Sequence, residues 1–249
     1  MRLRENVPAK ILAFDDESTE LSAEGDLLVF GYKWIGAPAA GGTCRDCGQR
    51  HSKVYTPSVL DGSEPCDHGY HHYTDRDLVK LSHDVLSEAD MVVTFNGKNF
   101  DWKLHNTKFL MHGLKPLAAI AHVDLYQVAR SNYLIRPKSL KNLSRAFKFK
   151  HAKTELTWDT WRKANKGDAT SLRYIRDHCR ADVLVTEEAY FMFRNNVRQH
   201  PRVNGWGPCR RCGADALQRR GEAVTILKGT QYRFQCRKCG GWEIKPDGM

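Results

Sequence analysis

Three adjacent carboxylates, Asp15-Asp16-Glu17, close the apolar run Ile11-Leu12-Ala13-Phe14. Successive side chains of a strand point to opposite faces, so Asp15 and Glu17 are expected to project together while Asp16 points away as a bystander. An Asp-x-Glu pair of this kind forms a cradle for a hard divalent cation such as Mg²⁺ or Mn²⁺, which prefers oxygen ligands; the bland alternative is a polar turn after a buried strand. Asp101 follows a β-branched run, Met91-Val92-Val93-Thr94-Phe95, and a turn-rich tetrad, Asn96-Gly97-Lys98-Asn99. It therefore opens a helix beyond a strand end, where an Asp also serves simply to offset the helix dipole. Tyr174, His178 and Asp182 recur every four residues in a segment rich in helix formers, so they share one helical face. Tyr174 is read as packing.

A second chemistry lies in the cysteines. Cys209-Arg210-Arg211-Cys212 and Cys236-Arg237-Lys238-Cys239 are separated by 23 residues with strand-like runs at Ala223–Leu227 and Gln231–Phe234. Four thiolates on two knuckles joined by a hairpin predict a zinc ribbon with one structural Zn²⁺, the metal supplying folding free energy that so small a module lacks. Trp206, Tyr232, Phe234 and Trp242 fit two readings there, a minimal core or rings exposed for stacking. A further set, Cys44, Cys47 and Cys66 with His68, predicts a second structural Zn²⁺ in an insertion at about 40–75; His71 is the alternative fourth ligand. Cys179 has no such partner and reads as a buried or semi-buried thiol.

The chain has 249 residues, 41% hydrophobic and 27% charged, enough for one large domain with a small appendage. Its 39 Lys and Arg against 29 Asp and Glu give a net charge of +10, the sign expected for a polyanionic partner such as nucleic acid. Arg136, Lys138, Lys141, Arg145, Lys148, Lys150 and Lys153 fall in one segment in which Leu140, Leu143 and Phe147 keep helical spacing, predicting a helix with a phosphate-contacting face. No apolar run is long enough to cross a bilayer, and no apolar core follows the basic N-terminus; a cytoplasmic protein without a membrane partner is expected, in the nucleoid or in the cytosol of a phage-infected host.

The elements that must position these groups are an early strand pair between Lys10 and Lys33, the Cys-rich insertion, and a helix near 76–89. A strand near 90–95 follows, then helices near 100–112 and 124–132, the basic helix, and a long helix near 170–198. The fold class is α/β, a mixed sheet flanked by helices with a small C-terminal zinc ribbon. Residues 1–203 form the main domain and 204–249 the ribbon, with Asn204–Pro208 as the hinge.

Leu12-Ala13-Phe14-Asp15-Asp16-Glu17-Ser18-Thr19 resembles the first motif of the DEDD 3′-5′ exonucleases, in the ribonuclease H-like superfamily that contains polymerase proofreading domains. Asn96-Gly97-Lys98-Asn99-Phe100-Asp101 is similar to the second motif and Asp182-Val183 to the third. The resemblance implies that Asp15, Glu17, Asp101 and Asp182 hold two Mg²⁺ or Mn²⁺ ions in a two-metal phosphodiester hydrolysis. In the Tyr branch of that family a helper residue stands four before the last Asp, and in the His branch five before. His178 stands four before Asp182, a departure from both patterns, and is read as general base or water orienter, since an imidazole pKa near 6.5 suits that task. The leading expectation is an exonuclease on a DNA 3′ end, with a replication or repair protein as a partner through the ribbon. The alternatives are a structure-specific endonuclease or ribonuclease on the same fold, or a zinc-dependent nucleic-acid-binding module with a vestigial active site.

Overall fold

The computed structural model of the chain describes residues 9–36, 41–43, 50–51, 54–55, 74–151, 154–198, 200–201, 203, 209–225 and 229–246. It divides into two compact units, Lys10–Phe191 and a second built on Met192–Met249. The expected insertion ligands Cys44, Cys47, Cys66 and His68, the alternative His71, and the Asn204–Pro208 hinge all lie outside the described residues.

In the first unit β1 (Ile11–Ser18) turns back into β2 (Leu27–Trp34), paired antiparallel from Leu12↔Trp34 to Ser18↔Leu27. Two short strands, β3 (Gly41–Thr43) and β4 (Arg50–His51), pair with each other, and β5 (Val54–Tyr55) joins the outer edge of β2. Helix α1 (Asp75–Ser87) begins at a capping box in which Thr74 and Asp77 each accept the other's backbone N–H. It leads to β6 (Met91–Thr94), which runs parallel to β1; α2 (Asp101–Met111) then returns the chain to β7 (Ala121–Asp124), parallel to β6. The strand order is β5-β2-β1-β6-β7, with β1 at the centre. Four helices follow, α3 (Leu125–Asn132), α4 (Leu140–Ala146), α5 (Trp158–Ala164) and α6 (Ala169–Phe193).

The sheet is covered on both faces, which explains why β2 reads as an unbroken apolar run: Leu27 to Lys33 are all buried. Leu12, Phe14, Leu27 and Phe30 pack with Leu78, Val79, Leu104 and Phe109 of α1 and α2 on one face. Leu28 and Val29 pack with Ala164, Leu172, Ile175 and Cys179 of α5 and α6 on the other. Asp75, the first residue of α1, ties the first layer together, accepting the Leu27 amide (2.7 Å), Lys108 Nζ (2.8 Å) and His112 Nε2 (2.8 Å).

The short strands β3–β5 were not expected from sequence, and neither were β7 and α5. β7 precedes α3 directly, so a four-residue strand merges with the helical pattern, and α5 is only seven residues long. The long helix ends at Phe193 rather than near 198, passing into a 3₁₀ turn at Arg194–Asn196.

The second unit contains β8 (Leu217–Thr225), β9 (Gly229–Cys236) and β10 (Trp242–Pro246), an antiparallel sheet of order β10-β9-β8 with one strand more than the expected hairpin.

Helix α6 packs tightly against the sheet at Gly31, where a Cβ would lie 2.6 Å from Cys179 Sγ and 3.2 Å from Val183 Cγ2. We expect Gly31→Ala to cost about 1–3 kcal/mol by overpacking. Urea denaturation checks this, and Gly31→Ala/Cys179→Ala, which clears the obstructing sulfur, should recover most of the loss.

Candidate active site

The period of β1 sorts its acidic triplet as its spacing predicts: Asp15 and Glu17 are partly exposed on one face, and the Asp16 side chain is fully buried on the other. Helix α6 lies over the first face. Its row Leu172, Ile175, Cys179 and Val183 is buried at i, i+3, i+7 and i+11, which carries the neighbouring His178 and Asp182 toward the strand end. His178 Nε2 lies 3.6 Å from Asp182 Oδ2 and 3.9 Å from Glu17 Oε1. Its other nitrogen, Nδ1, is 2.6 Å from the Thr154 hydroxyl, a contact that fixes the ring and turns Nε2 to the carboxylates. The Cys179 thiol donates to the Asp15 carbonyl oxygen at 3.3 Å. Burial pushes this thiol well above its ordinary range, and Asp15, Glu17, Asp16 and Asp182 all add to the rise. Four carboxylates thus act on one point of the fold.

Asp101 stands apart from that group. It opens α2, is buried, and accepts backbone N–H bonds from its own amide and from Asp16. Burial, with the Asp16 carboxylate beside it, pushes its carboxyl up to about 7. Asp16 is no bystander. Its Oδ2 lies 2.8 Å from Nε2 of His105, one turn beyond Asp101 on α2, with both side chains fully buried. The approach is off the hydrogen-bond line, so the attraction is chiefly electrostatic. His105 Nδ1 is 3.2 Å from Ser82 Oγ, which itself donates to the Val79 carbonyl oxygen. β1, α1 and α2 are thereby joined by a polar chain running through the core.

A cleft of about 920 Å³ opens over Asp15, His178 and Asp182. Neither Glu17 nor Asp101 lines it. One wall is the loop after β6, where Asn96 adopts a positive φ of 69° that Asn tolerates. Buried Asp124 shapes this loop, its two oxygens accepting the amides of Asn96 (2.9 Å), Lys98 (3.2 Å) and Tyr126 (3.0 Å). Asn96 and Asn99 line the cleft beside Phe95 and Tyr126, whose rings meet edge to face at 5.8 Å.

Among the described residues of the basic segment, Lys138 and Lys141 line the cleft, joined by Arg130 from α3. The expected single cationic helix face is divided, because α4 ends at Ala146 and Lys148 takes a positive φ of 54° beyond it. Lys141 pairs with Glu155. Tyr174 is half-exposed, with its hydroxyl donating to the Glu155 carbonyl oxygen at 2.8 Å, so it anchors the 154–156 wall of the cleft rather than packing in the core. Sequence reasoning gave no site role to Thr154, Asp124, Phe95 or Tyr126, although Asp124-Leu125-Tyr126 resembles a segment of the exonuclease family.

A family profile described as the RNase_H superfamily matches residues 49–191, more than half of the chain. The chain belongs to the RNase_H superfamily. Among curated proteins none matches it. The matched residues include Asp101, His178 and Asp182 but begin after β1, so Asp15 and Glu17 enter the site through the sheet, whose central strand is β1. RNase H-like nucleases use divalent metals, and the fold implies nucleic-acid binding and metal-dependent nuclease chemistry in general. The donor set here fits that chemistry, being carboxylate oxygens on neighbouring elements. The carboxylates are more widely spread than the ribbon cysteines, which among the described residues are the one set of three or more such groups whose ligand atoms all lie within 4.8 Å of one another.

Those cysteines sit on two equivalent knuckles. Cys209 accepts the Gly213 amide and Cys236 the Gly240 amide, and each glycine takes a positive φ, 69° and 70°. Sγ separations of 3.7 Å for Cys209–Cys239 and for Cys212–Cys236 match the edge of about 3.8 Å that four Zn–S bonds of about 2.3 Å give in a tetrahedron.

Two outcomes are expected. Asp16→Ala leaves His105 buried without its carboxylate and should cost about 3–5 kcal/mol, whereas Asp16→Asn, which keeps an acceptor, should cost less; denaturant midpoints decide. Chelation of zinc at neutral pH should release one ribbon-bound ion and abolish the amide-exchange protection of β8–β10, which a reduced Cys212→Ser/Cys236→Ser variant should lack from the outset.

Proposed function

We propose that the chain is a metal-dependent 3′-5′ exonuclease that hydrolyses DNA phosphodiester bonds by a two-metal mechanism, with residues 1–203 as the nuclease domain and 204–249 as a zinc ribbon. The observation that carries the reading is the approach of His178 Nε2 to within 4 Å of both Asp182 and Glu17 over the end of β1, where Asp15, His178 and Asp182 line one cleft.

Asp15, Glu17, Asp101 and Asp182 would hold two Mg²⁺ or Mn²⁺ ions. When bound, such ions lower the pKa of the attacking water and neutralise charge on the leaving oxygen. His178 takes the proton of that water at Nε2, the nitrogen turned to the carboxylates, while Thr154 keeps the ring from rotating. Arg130 and Lys138 meet backbone phosphates. Phe95 and Tyr126 offer ring faces and edges to unpaired bases, which favours a single-stranded end. Asn96 and Asn99 position the terminal nucleotide by hydrogen bonds.

The test uses 5′-labelled single- and double-stranded DNA and RNA with Mg²⁺ or Mn²⁺. The expected result is a DNA ladder shortening from the 3′ end, abolished in Asp15→Ala and Asp182→Asn, and slowed by roughly 10²–10⁴-fold in His178→Ala. Internal cuts would replace this reading with a structure-specific endonuclease, and cleavage confined to RNA with a ribonuclease. Binding without cleavage would leave a nucleic-acid-binding module with a vestigial site.

A further inference from the structure

The register of the ribbon sheet sorts its aromatic and charged side chains by face. On one face Tyr232 and Phe234 of β9 lie opposite Lys245 and Glu243 of β10, and Phe234 lies opposite Arg219 of β8. The Arg219 guanidinium stands 3.6 Å from the Tyr232 ring and Lys245 Nζ 5.2 Å from the Phe234 ring. Glu243 is buried and accepts the Arg210 amide at 2.6 Å. These rings are structural, each covered by a cation.

The other face differs in kind. Trp242 and Ile244 of the edge strand β10 are 51% and 52% exposed. They lie opposite Gln235 and Arg233, which in turn lie opposite Gln218 and Gly221. No carboxylate occupies any paired position on this side, although Glu222 and Glu243 both sit on the opposite face. At Gly221 a Cβ would meet nothing within 4 Å, so the surface beside Arg233 is open. An indole, an aliphatic neighbour, a row of amides and an exposed guanidinium, which Arg233 steadies by donating to the Glu222 carbonyl oxygen at 3.3 Å, complement without acids a polyanion whose bases show their π-faces.

We propose that this face binds single-stranded DNA: Trp242 stacks on a base, Ile244 packs against the adjoining ring or sugar, Arg233 contacts phosphate, and Gln218 and Gln235 hydrogen-bond base edges. A duplex hides its π-faces and is bound more weakly here. The proposal rests on the reading of the chain as a nucleic-acid enzyme but not on its cutting DNA.

The experiment measures fluorescence anisotropy of a labelled oligothymidylate with the whole zinc-loaded chain, with no Mg²⁺ or Mn²⁺ added and no chelator that would strip the zinc. Trp242→Ala should weaken binding roughly tenfold, with Trp242→Phe close to wild type. Arg233→Ala should weaken it and lower the slope of log affinity against log salt by about one. Zinc content and the thermal midpoint of the ribbon should be unchanged in Trp242→Ala, which separates lost stacking from lost fold. Equal affinities for wild type and Trp242→Ala overturn the proposal and turn the face toward a protein partner. A wild type that binds but never cuts sinks the nuclease reading and leaves this one standing.

Discussion

Helix α6 packs on the sheet across Leu28 and Val29, and it seats one side chain where the sheet has none. At Gly31 the Cys179 sulfur occupies the space a Cβ would need, and the same sulfur donates its hydrogen to the Asp15 carbonyl oxygen on the neighbouring strand. This contact joins β1, β2 and α6 and sets the height of the helix above the strand end. His178 and Asp182 flank the buried row that makes the contact, so their distance from Glu17 follows from it. Interiors are packed too densely for a displacement of one ångström there to be absorbed before it reaches the site.

Gathering like charges at one strand end opposes folding, and the structure offsets the cost differently on the two sides of β1. Behind the strand, Asp16 is matched to His105, whose second nitrogen reaches Ser82. In front, Asp15 and Asp182 face a cleft bordered by Arg130, Lys138 and Lys141. Asp101, at the start of α2, shows the strain most clearly, its carboxyl raised to about 7 by burial and by Asp16. A divalent cation is the complement that such a set of oxygens calls for. The ribbon meets the same problem in miniature: its small sheet is anchored by four sulfurs, with buried Glu243 bonded to the Arg210 amide beside the first knuckle.

The readable parts of the sequence were those with a short-range signature. Strand alternation sorted Asp15 and Glu17 from Asp16, helical spacing put His178 with Asp182, and the paired Cys-x-x-Cys-Gly segments marked the ribbon. What escaped depends on contacts between residues far apart in the chain. Nothing near Asp16 announces His105, and nothing near His178 announces Thr154. β7 and α5 are too short to show a periodicity of their own, although α5 has a Thr157 cap and Gly167 beyond its end; they are held by pairing with β6 and by packing on β2. The ribbon aromatics could not be sorted from sequence because the division into covered Tyr232 and Phe234 and exposed Trp242 arises only when β10 pairs with β9.

The central claim is that Asp15, Glu17, Asp101 and Asp182 form one divalent-metal centre although they come from three separate elements. Anomalous diffraction from crystals of the chain equilibrated with Mn²⁺ tests it most directly. The account predicts strong manganese peaks between the end of β1 and α6, bounded by oxygens of Asp15, Glu17 and Asp182, with Asp101 drawn toward one of them. Absence of manganese at that position at saturating concentration, or its appearance only on surface carboxylates elsewhere, would contradict the account.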